Sequence, residues 1–188
     1  MNVKFKKLLP GAVIPMKATP GSAAYDLYTA EDVIIKPGRQ IIPLGFAMEM
    51  EPGIEALVDP RSGFSSKGME GYEIVTISEY KQPGGITVTL KGDCGALSTH
   101  LMNCVVRKLM DLEPKRFDCD VIEGKIDSDY RDGVGVIVHN RDSRTFLIKA
   151  GTRIAQMTFQ KVETVEWIEV DELSPSERDG GFGSTGVS

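Results

Sequence analysis

Apolar and polar residues alternate in short runs along most of this chain, and turn residues separate the runs. The alternation predicts strands at residues 3–8, 25–30, 32–35, 40–44, 47–50, 55–58, 73–78, 86–90, 134–139, 145–148, 153–159 and 164–170. The breakers between them include Pro10-Gly11, Pro20-Gly21, Pro37-Gly38, Pro52-Gly53, Pro83-Gly84 and Ala150-Gly151. Many short strands with regular turns describe an all-β fold, a jelly roll or a related antiparallel barrel. No fixed-period repeat is present. One stretch breaks the pattern: at 97–112 the apolar residues Leu101, Cys104, Val105, Leu109 and Leu112 recur at steps of three and four. Ser98 stands before them as a cap and Pro114 after them as a breaker, so this segment is expected to be a helix.

A length of 188 residues with 41% hydrophobic content suits a single domain with a real core. The net charge of −5, with no basic run longer than Lys6-Lys7 or Lys115-Arg116, argues against a surface for duplex nucleic acid. No apolar run approaches the roughly 18 residues of a membrane span, and Met1 opens no signal-peptide pattern. The expectation is a cytoplasmic protein that does not engage a membrane. An odd count of three cysteines then points to reduced thiols.

Five segments carry chemistry. In 178–186, four glycines stand among an arginine, a serine, a threonine and one phenylalanine, a composition that fits either a frayed tail or a cradle for phosphate and a base. Residues 124–135 hold Asp127 and Asp129, which share a face if the backbone is extended and fan apart in a hairpin turn. An acid near a polyphosphate suits proton abstraction from water; an Asx-rich turn with solvated carboxylates is the plainer reading. Residues 59–68 place Arg61, three serines and Lys67 after a proline, as phosphate donors or as the capped start of a short helix. Asp26 sits inside an otherwise apolar strand and needs a partner: a metal-bound water, a backbone N–H or an arginine. Strand alternation puts Arg153 and Gln156 on opposite faces, so at most one should face a given site.

Taken together, 18–27, 60–67, 124–135, 151–157 and 178–186 resemble the five ordered motifs of the trimeric dUTP pyrophosphatase (dUTPase) family. The resemblance implies hydrolysis of dUTP to dUMP and pyrophosphate by a dUTP diphosphatase. By that resemblance Asp127 orients the water that attacks the α-phosphorus, and Tyr130 packs under the deoxyribose, leaving no room for a 2′-hydroxyl. Arg61, Ser62, Gly63 and Gln156 match phosphate binders. Asp26 matches the acid that holds waters of a phosphate-bound Mg²⁺. Arg178 matches a γ-phosphate ligand, Phe182 a ring over the uracil, and Gly183, Ser184 and Thr185 phosphate contacts. The family also implies a homotrimer with shared active sites, its tail at 174–188 closing over a neighbour's site.

Two departures stand out. Only Asp179 separates Arg178 from Gly180-Gly181-Phe182, one residue fewer than in many relatives, which displaces the guanidinium by up to about 3.5 Å. The span from Ser62 to Asp127 is also long, which implies an insertion at approximately 75–118 containing the expected helix. Cys94, His100, Cys104 and Cys119 fall in or beside it; their spacing lacks CxxC knuckles, so packed thiols are expected over zinc. The insertion is also a candidate docking surface for a protein partner. The rival readings are a dCTP deaminase or bifunctional relative of the same fold, and a regulatory binding protein that uses the insertion.

Overall fold

The computed structural model describes residues 1–74, 80–81, 87–88 and 113–175. In chain order its elements are β1 (Lys4–Lys7), β2 (Tyr25–Tyr28), β3 (Val33–Ile35), β4 (Gly38–Glu49), β5 (Ile54–Asp59), α1 (Ser62–Lys67) and β6 (Met69–Glu73). There follow β7 (Tyr80–Lys81), β8 (Thr87–Val88), β9 (Lys115–Phe117), β10 (Cys119–Ile122), β11 (Gly124–Ile126), β12 (Gly133–Asn140), β13 (Phe146–Ile148) and β14 (Arg153–Lys161). Three four-stranded sheets run in the orders β1-β4-β12-β10, β11-β5-β14-β2 and β3-β13-β6-β9, and β7 pairs with β8. All strand pairings among the described residues are antiparallel. The all-β, jelly-roll-like architecture expected from the turn spacing is the one observed.

Period-two alternation builds the core. In β12, Val134, Val136 and Val138 are buried while Ile137 between them is exposed. Each of the three four-stranded sheets sends side chains into one cluster, among them Leu27, Phe46, Val58, Phe117, Phe146 and Ile154. Burying one such side chain contributes about 1.5–3 kcal/mol. Phe117 stacks on Phe146 with ring centroids 4.1 Å apart, and the Arg144 guanidinium lies 4.6 Å above the Phe117 ring.

The loop between β12 and β13 contains an acid-sensitive pair. Hydrogen bonds from the Arg144 guanidinium hold the Asp142 carboxyl down at about 2, against an ordinary 3.8. Because the folded value is depressed, the pair's stabilisation is present above the ordinary value and is lost as pH falls from about 4 through about 2. Asp142→Asn should therefore flatten the acid limb of a Tm-versus-pH curve and lower Tm at neutral pH by about 1–3 °C, a small effect because the pair is partly solvated. An acid limb identical to wild type would show that the pair contributes nothing.

Several elements differ from the alternation reading. The strands expected at 40–44 and 47–50 form the single long β4, because Gly45 takes φ +73 and lets the strand bend without ending. A Cβ at Gly45 would lie 2.8 Å from the Ala30 Cβ and 2.9 Å from that of Leu9. Strands β9, β10 and β11 were not anticipated, since Lys115, Arg116, Asp118 and Asp120 mask the buried alternation of Phe117, Cys119 and Val121. Those charges are paired on the outer face: Arg116 with Glu70, and Arg141 with Asp118 and Asp120. Residues 164–170, expected as a strand, are in no strand here. Val165 is 63% exposed, Trp167 91% and Ile168 76%, so the segment's apolar side chains find no cover among the described residues. The strand expected at 73–78 lies mostly outside the described residues; β6, at Met69–Glu73, was not anticipated. The expected helix at 97–112 lies outside the described residues. Because β9 pairs with β6, residues 115–117, inside the range expected for the insertion, belong to the four-stranded sheet β3-β13-β6-β9.

Candidate active site

The site is built around one buried acid. Asp26 lies in β2 at 9% exposure, its backbone N–H donating to the Met16 carbonyl at 2.8 Å. A carboxylate so placed requires charged partners. It has two: Arg61 Nε stands 3.2 Å from Oδ1, and Arg153 Nη1 donates to Oδ2 at 3.1 Å. Arg61 Nη1 donates in turn to the Arg153 carbonyl at 3.0 Å, so the two arginines are also joined to each other.

Strand periodicity had placed Arg153 and Gln156 on opposite faces. The β14–β2 register shifts between Arg153 and Ala155, where a β-bulge breaks the alternation. Ile154 and Ala155 are consequently both buried, and Arg153 bonds to Asp26 while Gln156 sits directly across from Asp26 in the ladder. Both residues therefore meet at Asp26. The bulge has no signature in the local sequence, which is why Arg153 was missed as a site residue.

Strand β5 ends at Asp59, opposite Gln156, and Pro60 turns the chain into Arg61 and α1. Arg61 occupies the helix N-cap with extended backbone, φ −82 and ψ 137, and makes no side-chain cap. Its carbonyl accepts the amides of Phe64 and Ser65 at 2.8 and 3.1 Å, while Ser62 and Gly63 stay exposed beside its guanidinium. Gly68, at φ +74, ends the helix where a Cβ would strike the Phe117 carbonyl oxygen at 2.2 Å. Together these elements border a cleft of about 480 Å³ whose lining includes Arg61, Gly63, Lys67, Arg116, Lys149 and Arg153. Glu70, paired with Arg116, is the cleft's acid. Such a balance favours a polyanion.

Asp127 and Tyr130 stand elsewhere. They belong to the turn that carries the chain from β11 in one sheet to β12 in another, where Asp127 and Asp129 are both exposed. The Tyr130 amide donates to the Asp127 carbonyl at 3.1 Å and its hydroxyl to the Gly133 carbonyl at 3.1 Å. Arg131 Nη1 donates to the carbonyls of Ser128 and Tyr130 at 2.7 and 3.0 Å. The turn is thereby held firmly, with the Tyr130 ring 41% exposed. In the β11–β5 ladder Ile126 faces Ala56, near the start of β5, whereas Arg61 follows the strand's other end at Asp59, so Asp127 and Arg61 lie toward opposite ends of β5. One chain thus brings together Asp26, Arg61, Ser62, Gly63 and Gln156, and holds Asp127 and Tyr130 apart from them. Arg178, Phe182, Gly183, Ser184 and Thr185 lie outside the described residues, as do Cys94, His100 and Cys104. Cys119 is buried in β10, its thiol pushed up to about 12, mainly by burial and then by Asp120, and it packs as an apolar side chain. No helix among the described residues is long and apolar enough to cross a membrane.

The described residues thus define an all-antiparallel β protein with an arginine-lined cleft and, apart from it, an acid-bearing turn. The dUTPase family model matches residues 11–94 and 113–186, leaving a gap inside the range expected for the insertion. The chain is 38% identical over 188 residues to the deoxyuridine 5'-triphosphate nucleotidohydrolase of Nautilia profundicola, covering 99% of each. It is 33% identical to the Arabidopsis thaliana protein of the same name, covering 98% of this chain and 82% of that one. Its fold is similar to that of the dUTPase of Staphylococcus bacteriophage 80alpha, solved with dUpNHpp, with a TM-score of 0.67, 22% identity and 99% of both chains covered. The dUTPase of phage phi11 of S. aureus, solved to visualise a species-specific insert, matches with a TM-score of 0.61 at 18% identity over 92% of this chain and 98% of that one. The chain belongs to the dUTPase family.

Proposed function

We propose that this protein hydrolyses dUTP to dUMP and pyrophosphate, and that each active site is assembled from more than one chain of a homotrimer. The observation that carries this reading is the Asp26–Arg61–Gln156 cluster, whose Arg61 lines a cationic cleft together with Arg153, in a chain of the dUTPase family. In the proposed site, Arg61, Ser62, Gly63 and Gln156 bind the phosphates. Asp127 of another copy accepts a proton from water as the water oxygen bonds to the α-phosphorus. The bond from that phosphorus to the α,β-bridging oxygen breaks, and pyrophosphate leaves with the electron pair. The separation of Asp127 from Arg61 along β5 supports a site shared between copies, since a general base must come within about 3 Å of its proton. The uncovered segment 162–173 supports docking of the C-terminal part on a neighbour, with Arg178, Phe182, Gly183, Ser184 and Thr185 of the tail completing the site.

Mg²⁺ fits this donor set through water. Asp26 is the one acid in the cluster, and no group of three His, Cys, Asp or Glu side chains suited to a metal occurs among the described residues. With one bond from an arginine on each oxygen, Asp26 retains lone pairs for the water shell of an ion held mainly by phosphates. When bound, the ion would neutralise phosphate charge. A structural Mg(II) ion is described for the phage phi11 dUTPase. The insertion is proposed as a docking surface for a protein partner.

Pyrophosphate release across the dNTPs and UTP, with and without Mg²⁺, tests the assignment. dUTP should be turned over best and chelation should abolish turnover; ammonia release from dCTP would instead identify a deaminase. Tyr130→Ala should raise UTP turnover relative to dUTP by about tenfold, the scale of one steric contact. An unchanged ratio would remove Tyr130 from sugar discrimination.

A further inference from the structure

We infer that Arg153 is a further substrate-positioning residue, which shares Asp26 with Arg61 as a common anchor and presents a second guanidinium to the phosphate chain; this rests on the reading of the site given above. Arg61 is fixed from three sides: Nε by Asp26, Nη1 by the Arg153 carbonyl, and its face by the Phe64 ring 5.5 Å away. One of those contacts comes from the bulged residue of β14 itself, and a second is made to an acid that the same residue also holds. The backbone of Arg153 supplies the carbonyl, and its side chain takes the other oxygen of Asp26.

The contacts occupy two of the five N–H donors of Arg61 and one of the five of Arg153, so both forks keep donors for the cleft they line. One carboxylate balances two guanidiniums, which leaves a net positive charge. The neighbouring cations Lys149 and Arg116 are matched by Asp32 and Glu70, at 3.0 and 2.8 Å. The Arg153 side chain is 48% exposed, and its bond to Asp26 is a directed polar contact. A bulge that forgoes regular ladder pairing to aim an arginine at a buried acid has the geometry of a device for orienting ligand.

The test compares wild type with Arg153→Gln, Arg153→Lys and Asp26→Asn at saturating Mg²⁺. Steady-state pyrophosphate release from dUTP is measured together with calorimetric titration of inorganic pyrophosphate. Arg153→Gln should raise KM and weaken pyrophosphate binding by about tenfold each, with kcat changed less than about threefold and the Mg²⁺ half-saturation unmoved. Arg153→Lys should recover part of the binding, since it restores the charge without the fork. Asp26→Asn should show the same KM-weighted loss, and should it fail to fold, the half-exposed Arg153 variants carry the test. Unchanged KM and pyrophosphate affinity in Arg153→Gln would overturn the inference. So would an Asp26→Asn defect that disappears at high Mg²⁺, because Asp26 would then act through the metal alone. Wild-type turnover of dUTP reports on the function itself, whereas the pyrophosphate comparison between variant and wild type stands whichever nucleotide is the substrate.

Discussion

Replacing Asp127 by asparagine is expected to lower kcat for dUTP by about 10²–10⁴-fold, the usual contribution of a positioned general base, while binding of a non-hydrolysable dUTP analogue stays within about threefold. The substitution keeps the shape of the side chain and removes its capacity to take a proton. Asp127 is exposed at the end of β11 and anchors the turn through its main-chain carbonyl, which accepts the Tyr130 amide. Asparagine retains that carbonyl, so the turn and the Tyr130 ring should stay in place. Stopped turnover with intact binding separates proton abstraction from positioning. Turnover equal to wild type would return Asp127 to the role of a solvated turn residue.

Mixing two inactive variants should restore activity. Asp127→Asn alone and Arg61→Gln alone should each form trimers with little turnover, because every site then lacks either its base or its phosphate clamp. When the two chains are unfolded together in equal amounts and refolded, a site that takes Asp127 from one copy and Arg61 from another is intact in about a quarter of cases, the product of two independent halves. The expected result is therefore about a quarter of wild-type specific activity in the refolded mixture, and none when separately refolded trimers are combined without exchange. A site contained within one chain would give no recovery at all, which makes the measurement decisive for the separation of the two groups along β5.

How much of this was legible in the sequence depends on which physical effects are local. Turn chemistry is local, so pairs such as Pro37-Gly38 and Pro52-Gly53 marked strand ends correctly, and the five motifs carried the family and the all-β fold. Cross-strand geometry is not local. The meeting of Arg153 with Gln156 at Asp26 depends on a bulge set by pairing with β2, and strict alternation placed the two on opposite faces. Gly45 read as a break between two strands, yet its positive φ serves as a bend inside one. Strands β9 to β11 were hidden because their outward positions carry acids and bases whose ion-pair partners lie distant in sequence. Residues 164–170 show the converse: a sound alternation forms no ladder where the described residues offer no neighbouring strand. The detachment of Asp127 from Arg61 could not be read from motif order, because order in sequence carries no information about which end of β5 each motif occupies.

The exposed position of Trp167 has an optical consequence. It is the one tryptophan in the sequence, and within the isolated chain it stands almost fully in water. Indole emission shifts to shorter wavelength as water is excluded, so the wavelength of this residue registers whether another chain covers segment 162–173. The protein thus carries an intrinsic fluorophore on the part of its surface where assembly is proposed to occur, and subunit association can be followed during dilution or refolding without a label.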